Sequence, residues 1–193
     1  MDKNTEEKVR QAFKTLNRFM ILMWRLGLGP WLNAWPQGLG RYLVLTHKGR
    51  KTGVPRRTPV NFARVQNEIY CVAGFGHISD WFRNTQVNPQ VEVWLPDGWW
   101  EGTVEDISEA DARLPLLREV LIASGFAALV AGVNPHTLSD PEMDALTQPY
   151  RLLHIRLDRP RTGPGGPGDL AWVWPLTVMV MVPLLFLRRR CKG

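Results

Sequence analysis

The stretch 48–59, K-G-R-K-T-G-V-P-R-R-T-P, holds the residues best suited to gripping a charged ligand. Five cations, Lys48, Arg50, Lys51, Arg56 and Arg57, fall within ten residues with no acid among them, and Gly49 and Gly53 bracket the middle. Glycine lets backbone N–H groups come close to a ligand, and Arg and Lys add charge-assisted donors. Such a set suits a poly-anion, most simply one or more phosphates. The alternative is a solvated basic turn. The G-x-x-x-x-G-K-[ST] spacing of a P-loop is absent. The loop has no interleaved aromatics to stack bases and no helix-turn-helix accompanies it, so no nucleic-acid partner is expected. The four histidines, His47, His77, His136 and His154, are scattered, and His154 reads as a strand residue. No His, Cys and carboxylate cluster has ligand spacing, so no metal is expected.

The basic stretch needs a rigid mount. An apolar run, Tyr42 to Leu45, leads in and Val60 to Val65 leads out, which makes the stretch a turn between two strands. Further strands are expected at 68–74, 90–95, 99–106 and 150–157, besides 41–47 and 57–65. Val91, Val93 and Leu95 alternate with Glu92 and Trp94, the period of a half-buried strand. Pro96-Asp97-Gly98 is a turn signal before the return strand. Six short strands with few helices predict a mainly β chain with flanking helices, built as an antiparallel barrel. A short helix is expected from Ser79 to Thr85, stopped by Asn88-Pro89. Ser108 to Asp111 reads as a capping box opening a helix that runs to Ser124-Gly125, and Ser139-Asp140-Pro141-Glu142 repeats that signal.

Both ends differ from this middle. Residues 5 to 27 read as a helix with Val9, Phe13, Leu16, Met20 and Met23 in one stripe and Lys8, Arg10, Lys14 and Arg18 off it, ended by Gly27, Gly29 and Pro30. It fits either an interfacial helix on an anionic membrane or a core-packed helix. Nine tryptophans are many for 193 residues. Trp24, Trp31 and Trp35 lie near one end and Trp172 and Trp174 near the other, which suits a membrane interface or core packing. Asp2, Glu6, Glu7 and Arg25 argue against a secretory signal. Cys71 and Cys191 form no disulfide framework, which fits a reducing compartment. Thr162 to Gly168, T-G-P-G-G-P-G, reads as a linker. Leu170 to Leu187 carries no charge, and Arg188, Arg189, Arg190 and Lys192 follow. As a straight helix it measures about 27 Å, enough to reach across a bilayer. The expected parts are a helix at 1–30, a barrel at 31–160, a linker at 161–169 and a hydrophobic membrane segment with a basic tail at 170–193. The net charge of +6 favours anionic ligands or membrane lipids. Membrane association with the barrel on the cytoplasmic side is the expected location.

Two ordered blocks resemble a known family. The first runs through Tyr42-Leu-Val-Leu-Thr46, Gly49-Arg-Lys-Thr-Gly53, Pro55-Arg56 and Thr58-Pro59. The second is Asp80-Trp81-Phe82-Arg83-Asn84-Thr85, followed by Asn88-Pro89 and Val91-Glu92-Val93. Together with the lead-in Leu26-Gly-Leu-Gly-Pro-Trp31, they resemble the deazaflavin-dependent nitroreductase and quinone reductase family over residues 10 to about 110. The resemblance implies a split β-barrel and coenzyme F420, an 8-hydroxy-5-deazaflavin joined through a phosphodiester to lactate and a polyglutamate tail. By family position, Arg50, Lys51, Thr52, Gly53 and Arg56 hold the phosphate and acidic tail. Thr58, Pro59, Ala73 and Gly74 lie along the deazaflavin, and Trp81 and Asn84 close the pocket.

Gly74-Phe75 departs from the Ser-Lys pair of better-known relatives. Trp99, Trp100 and Tyr150 are the substrate-side candidates. The implied activity is hydride transfer from reduced F420 to a lipophilic conjugated acceptor such as a quinone, with nitroaromatics incidental. The cofactor carries that chemistry, so no catalytic side chain is required. The rivals are an FMN enzyme on the same barrel, whose short phosphate tail leaves cations unused, and a non-catalytic membrane-associated module that binds cofactor or lipid.

Overall fold

Alternating apolar residues build six strands at the expected places: β1 Tyr42–Lys48, β2 Pro55–Val65, β3 Glu68–Ala73, β4 Gln90–Leu95, β5 Gly98–Asp106 and β6 Arg151–Pro160. All pairs are antiparallel, and the sheet closes in the order β1-β2-β3-β6-β5-β4, with β1 bonded to both β2 and β4. Closure leaves no free sheet edge. The computed structural model describes residues 15–34 and 40–190, with side chains through residue 182. The expected helical positions Val9 and Phe13, and the residues Trp35, Cys191 and Lys192, lie outside the described residues.

Strand alternation sorts side chains into two layers. Leu43, Leu45, Val60, Phe62, Ile69, Cys71, Val93, Leu153 and Ile155 fill the barrel. The alternate residues Val44, Trp94 and Trp99 face outward and meet Trp24. That tryptophan comes from α1, a helix over 15–25. On another outer face, β2, β3 and β6 are covered by α4 Arg113–Ala123, α5 Phe126–Val130 and α6 Asp140–Thr147. α3, Asp80–Val87, crosses one end of the barrel beside β1.

The structure departs from the sequence reading at five places. Ser108 opens no helix. Its hydroxyl donates to Asp106 Oδ1 at 2.5 Å and accepts the Leu152 backbone N–H at 2.9 Å, so it closes the β5–β6 seam and α4 starts five residues later. The capping box at Ser139 and Glu142 does form. The apolar stripe of α1 is divided: Met20 is buried and Met23 half-buried, whereas Leu16 is exposed; off the stripe, Trp24 is buried and Phe19 and Leu22 are exposed. Gly29 and Pro30 open a second short helix, α2 Gly29–Leu32. Gly29 also lies directly beneath the Trp24 ring, where any Cβ would collide with the indole.

Residues 163–169 form an ordered strap. Arg57 Nη2 donates to the Gly165 carbonyl at 2.8 Å, and the Gly168 N–H donates to the Trp24 carbonyl at 2.9 Å. Asp169 takes two charge-assisted bonds from Arg25, at 2.9 Å from Nε and 2.8 Å from Nη2. Glycine fits here for two reasons: Gly166 stands against the Trp99 indole with no room for a side chain, and Gly163, Gly165 and Gly168 hold positive φ. The last helix, α7 Val173–Arg190, leaves the strap where Trp174 Nε1 donates to the Leu26 carbonyl at 2.8 Å. Because residues 170–172 are turn, only fifteen helical residues precede Arg188. They measure about 22 Å, short of a hydrocarbon core of about 30 Å. Among the described residues, no helix is long and apolar enough to cross a membrane.

Candidate functional site

The loop between β1 and β2 is a tight hairpin. The Gly49 N–H donates to the Val54 carbonyl at 3.0 Å, the Gly53 N–H to the Gly49 carbonyl at 2.8 Å, and Gly53 sits at φ +66°. That dihedral is open to glycine at little steric cost. The loop faces α3 across a cavity of about 250 Å3 lined by Gly49, Arg50, Lys51, Thr52, Arg56, Asp80 and Asn84. Five residues expected to bind a phosphorylated ligand, Arg50, Lys51, Thr52, Arg56 and Asn84, therefore surround one space. Gly53 shapes the loop without lining it.

Asn84 organises this space. It is 3 % exposed, and each of its polar atoms is used. Oδ1 accepts the Arg50 backbone N–H and Arg50 Nη1, both at 3.0 Å, and Nδ2 donates to His47 Nδ1 at 3.2 Å. Arg50 Nη2 reaches Asp80 Oδ1 at 3.0 Å. The Arg50 guanidinium is thus held as part of the wall. Among the described residues, neither Lys51 nor Arg56 forms an ion pair, which leaves two formal positive charges for an anion.

His47, the last inward residue of β1, has Nε2 3.2 Å from Thr58 Oγ1. Burial pushes its pKa down to about 4; the Lys48 backbone opposes that shift and the Arg56 charge adds to it. The imidazole is therefore neutral at pH 7. Thr58 pairs with Leu45 in the β1–β2 ladder and shares its inward side. Pro59 pairs with Val44, so its ring turns to the opposite, outer face. Ala73 is buried in the barrel. Gly74 follows at the end of β3, where an added Cβ would meet only the Tyr150 ring at 4.0 Å. Trp81 packs against the barrel core from α3.

The three substrate-side candidates are not brought together. Trp99 lies in the outer layer, under Gly166 and with the Arg161 guanidinium 4.9 Å from its ring centroid. Trp100 packs on the inner side. Tyr150 lies beside Gly74, and burial raises its pKa. His47 and Asp80 join the site without having been expected there. Position in the strand was the available signal for His47, since it continues the inward series Leu43, Leu45.

Residues 29–127 match the family described as F420H(2)-dependent quinone reductase. That is just over half of the chain. The chain belongs to this family. It is an F420-dependent oxidoreductase, and its cofactor is coenzyme F420. No curated protein matches the chain. Several solved structures are similar in fold. The F420-H2-dependent reductase FDR-A is 18 % identical, with 61 % of this chain and 93 % of that one covered and a TM-score of 0.41. A conserved hypothetical protein from Mycobacterium tuberculosis is 20 % identical over 72 % of this chain and 90 % of that one, with a TM-score of 0.45. The heme storage protein HutZ from Vibrio cholerae is 17 % identical over 69 % and 90 %, with a TM-score of 0.44.

The donor set fits F420. Its phosphodiester and carboxylates need cations that the protein has not already neutralised, and among the described residues Lys51 and Arg56 meet that condition beside a tight hairpin.

Proposed function

We propose that this quinone reductase family member passes a hydride from reduced F420 to a lipophilic conjugated acceptor of the quinone class, working at a membrane surface. The observation that carries the reading is the cavity between the Gly49–Gly53 hairpin and α3, where, among the described residues, Lys51 and Arg56 form no ion pair beside an Arg50 already fixed by Asn84 and Asp80. When bound, reduced F420 would supply a hydride from its C5, and the acceptor would take up that hydride and a proton. Lys51, Arg56 and the Thr52 hydroxyl hold the phosphodiester and acidic tail, and Gly53 keeps the turn. Thr58, Ala73 and Gly74 line the path of the deazaflavin into the barrel, and Trp81 flanks it. Orientation and exclusion of water are the protein's contribution.

An apolar acceptor is favoured by the edge of this end. Phe75 and Ile78 are 60 % and 66 % exposed beside Gly74, where better-known relatives place a hydroxyl and a cation. An extended FMN alternative is disfavoured by the number of cations in the cavity. Two measurements test the cofactor and acceptor. Replacing Lys51 and Arg56 together with alanine is expected to lower F420 affinity by at least tenfold in fluorescence anisotropy, each lost charge-assisted bond being worth about 1.5–3 kcal/mol. Unchanged affinity overturns the site. The native protein is expected to oxidise reduced F420 in the presence of a short-chain quinone; no turnover removes the acceptor class.

Membrane attachment rests on apolar side chains left in solvent. Leu16, Phe19 and Leu22 of α1, Trp31 of α2, and Trp172, Leu176, Val178 and Met179 around α7 are all exposed. α1 and α7 meet at the Trp174–Leu26 bond and the Arg25–Asp169 pair. Their outward residues then enter the headgroup region without spanning it, with the barrel on the cytoplasmic side. The protein should sediment with vesicles containing phosphatidylglycerol, and Phe19→Glu with Trp31→Glu should cut the bound fraction at least tenfold. A protein that stays in the supernatant with both anionic and neutral vesicles is not attached this way.

A further inference from the structure

The hydrogen bonds around His47 close into an accounting with one proton left over. Asn84 Oδ1 accepts twice from Arg50, through its backbone N–H and Nη1. Those two donors fix which way the Asn84 amide points, so its Nδ2 is the group facing His47 Nδ1 at 3.2 Å. Nδ2 can only donate, and Nδ1 must then be the bare acceptor nitrogen. A neutral imidazole with bare Nδ1 carries its hydrogen on Nε2, which faces Thr58 Oγ1 at 3.2 Å. Thr58 therefore receives a hydrogen bond from His47, and its own hydroxyl hydrogen must point elsewhere. Thr58 is half-buried and turned to the inner side of the barrel.

We infer that His47 is a positioning residue: held as its Nε2–H tautomer by Asn84, it occupies one acceptor position of the Thr58 hydroxyl and leaves the hydroxyl hydrogen to donate toward an acceptor atom of the bound deazaflavin. The inference rests on the cofactor site proposed above and adds a residue to it. A ligand presenting an N–H at that position has to turn the hydroxyl hydrogen away and use the one lone pair that His47 leaves. A ring carbonyl or bare ring nitrogen is accepted. The groups that face the imidazole are Asn84 from α3, Thr58 and the Arg56 charge from β2, and the Lys48 backbone. None of them supplies a carboxylate that would charge the ring and reverse the direction of the chain. Arg50 is coupled to the same chain through Asn84, so one buried amide sets both the anion-binding wall and the donor at the ring.

The test has two independent parts on the full-length protein. Ring 15N shifts report the tautomer, with the His47 signals assigned by their loss in His47→Gln. The expected result at pH 7 is a neutral ring with hydrogen on Nε2. Hydrogen on Nδ1, or a charged ring, overturns the inference without touching the cofactor site. The second part is F420 affinity. Thr58→Val should weaken binding about tenfold, and Thr58→Ser should restore it to within about twofold. In a His47→Gln background, whose side chain can present either a carbonyl or an amide to Thr58, the Thr58→Val loss should shrink to about threefold or less. An undiminished loss in that background means that His47 does not direct the hydroxyl, and overturns the inference. Should the native protein bind no F420, the cofactor reading falls and takes the ligand of Thr58 with it, while the nitrogen shifts still report whether the tautomer is held.

Discussion

Asn84→Ala is expected to lower F420 affinity by about thirty- to a hundredfold and to destabilise the fold by about 2–4 kcal/mol. The side chain is nearly sealed from solvent and serves three partners. Removing it leaves the Arg50 backbone N–H and His47 Nδ1 without partners in a buried place, and an unsatisfied buried group costs about 1–3 kcal/mol. The binding loss follows from geometry. Without the amide, Arg50 keeps only Asp80, whose side chain is 69 % exposed, and such exposed pairs hold a side chain weakly. Arg50 then swings with the loop, and Lys51, its neighbour, loses its aim. A factor of thirty to a hundred corresponds to about 2–3 kcal/mol. Asn84→Asp keeps an acceptor for Arg50 but loses the donor to His47 and adds a negative charge to the cavity, so it should still lower F420 affinity while leaving Arg50 held. Anisotropy for F420 and urea denaturation for stability read the two effects. An Asn84→Ala protein that binds F420 like the parent would mean that the hairpin bonds from Gly49 to Val54 and from Gly53 to Gly49 position the loop alone.

What could be read from sequence was what depends on near neighbours. The six strands follow a period of two, and the basic hairpin announces itself by five cations around two glycines, so the barrel and its charged loop were legible. The chain from Thr58 through His47 to Asn84 was not. Its bonds join residues 11 and 37 positions apart, and although strand alternation turns His47 inward, nothing local shows which partners it meets there. Ser108 failed for the same reason. Its S-x-x-D spacing matches a helix start, yet a backbone N–H 44 residues away claims the hydroxyl. The Gly-Pro stretch misled in the opposite sense. Lack of side chains reads as lack of contacts, whereas Gly166 lies against the Trp99 indole with no room for a side chain, as Gly29 of α2 does against Trp24, and Gly163, Gly165 and Gly168 hold positive φ.

The same indoles supply the largest expected loss of stability. Trp24→Ala should cost about 3–5 kcal/mol, the range for truncating a buried aromatic, and lower the melting temperature by roughly 10 °C for a domain of this size. Trp24 is 1 % exposed, packs with Val44, Trp94 and Trp99, and roofs Gly29. Its carbonyl also anchors Gly168, so the cavity opens at the point where the strap crosses α1. Collapse of α1 into that cavity would pull on the Arg25–Asp169 pair, which makes partial release of α7 an expected companion effect, read as faster proteolysis near the strap. Trp24→Phe should cost less than half as much. It keeps most of the ring and removes Nε1, a buried donor with no partner among the described residues, whose desolvation is itself unfavourable. Trp31→Ala is the contrast. At 75 % exposure it should change stability by no more than about 0.5 kcal/mol, while vesicle binding falls. Sequence places these two tryptophans seven residues apart in one aromatic cluster; a thermal melt of each variant, beside its vesicle binding, separates the one that holds the fold from the one that faces the lipid. Equal thermal losses for both would mean that the outer face of α1 and α2 is covered, and that the membrane surface must be sought elsewhere.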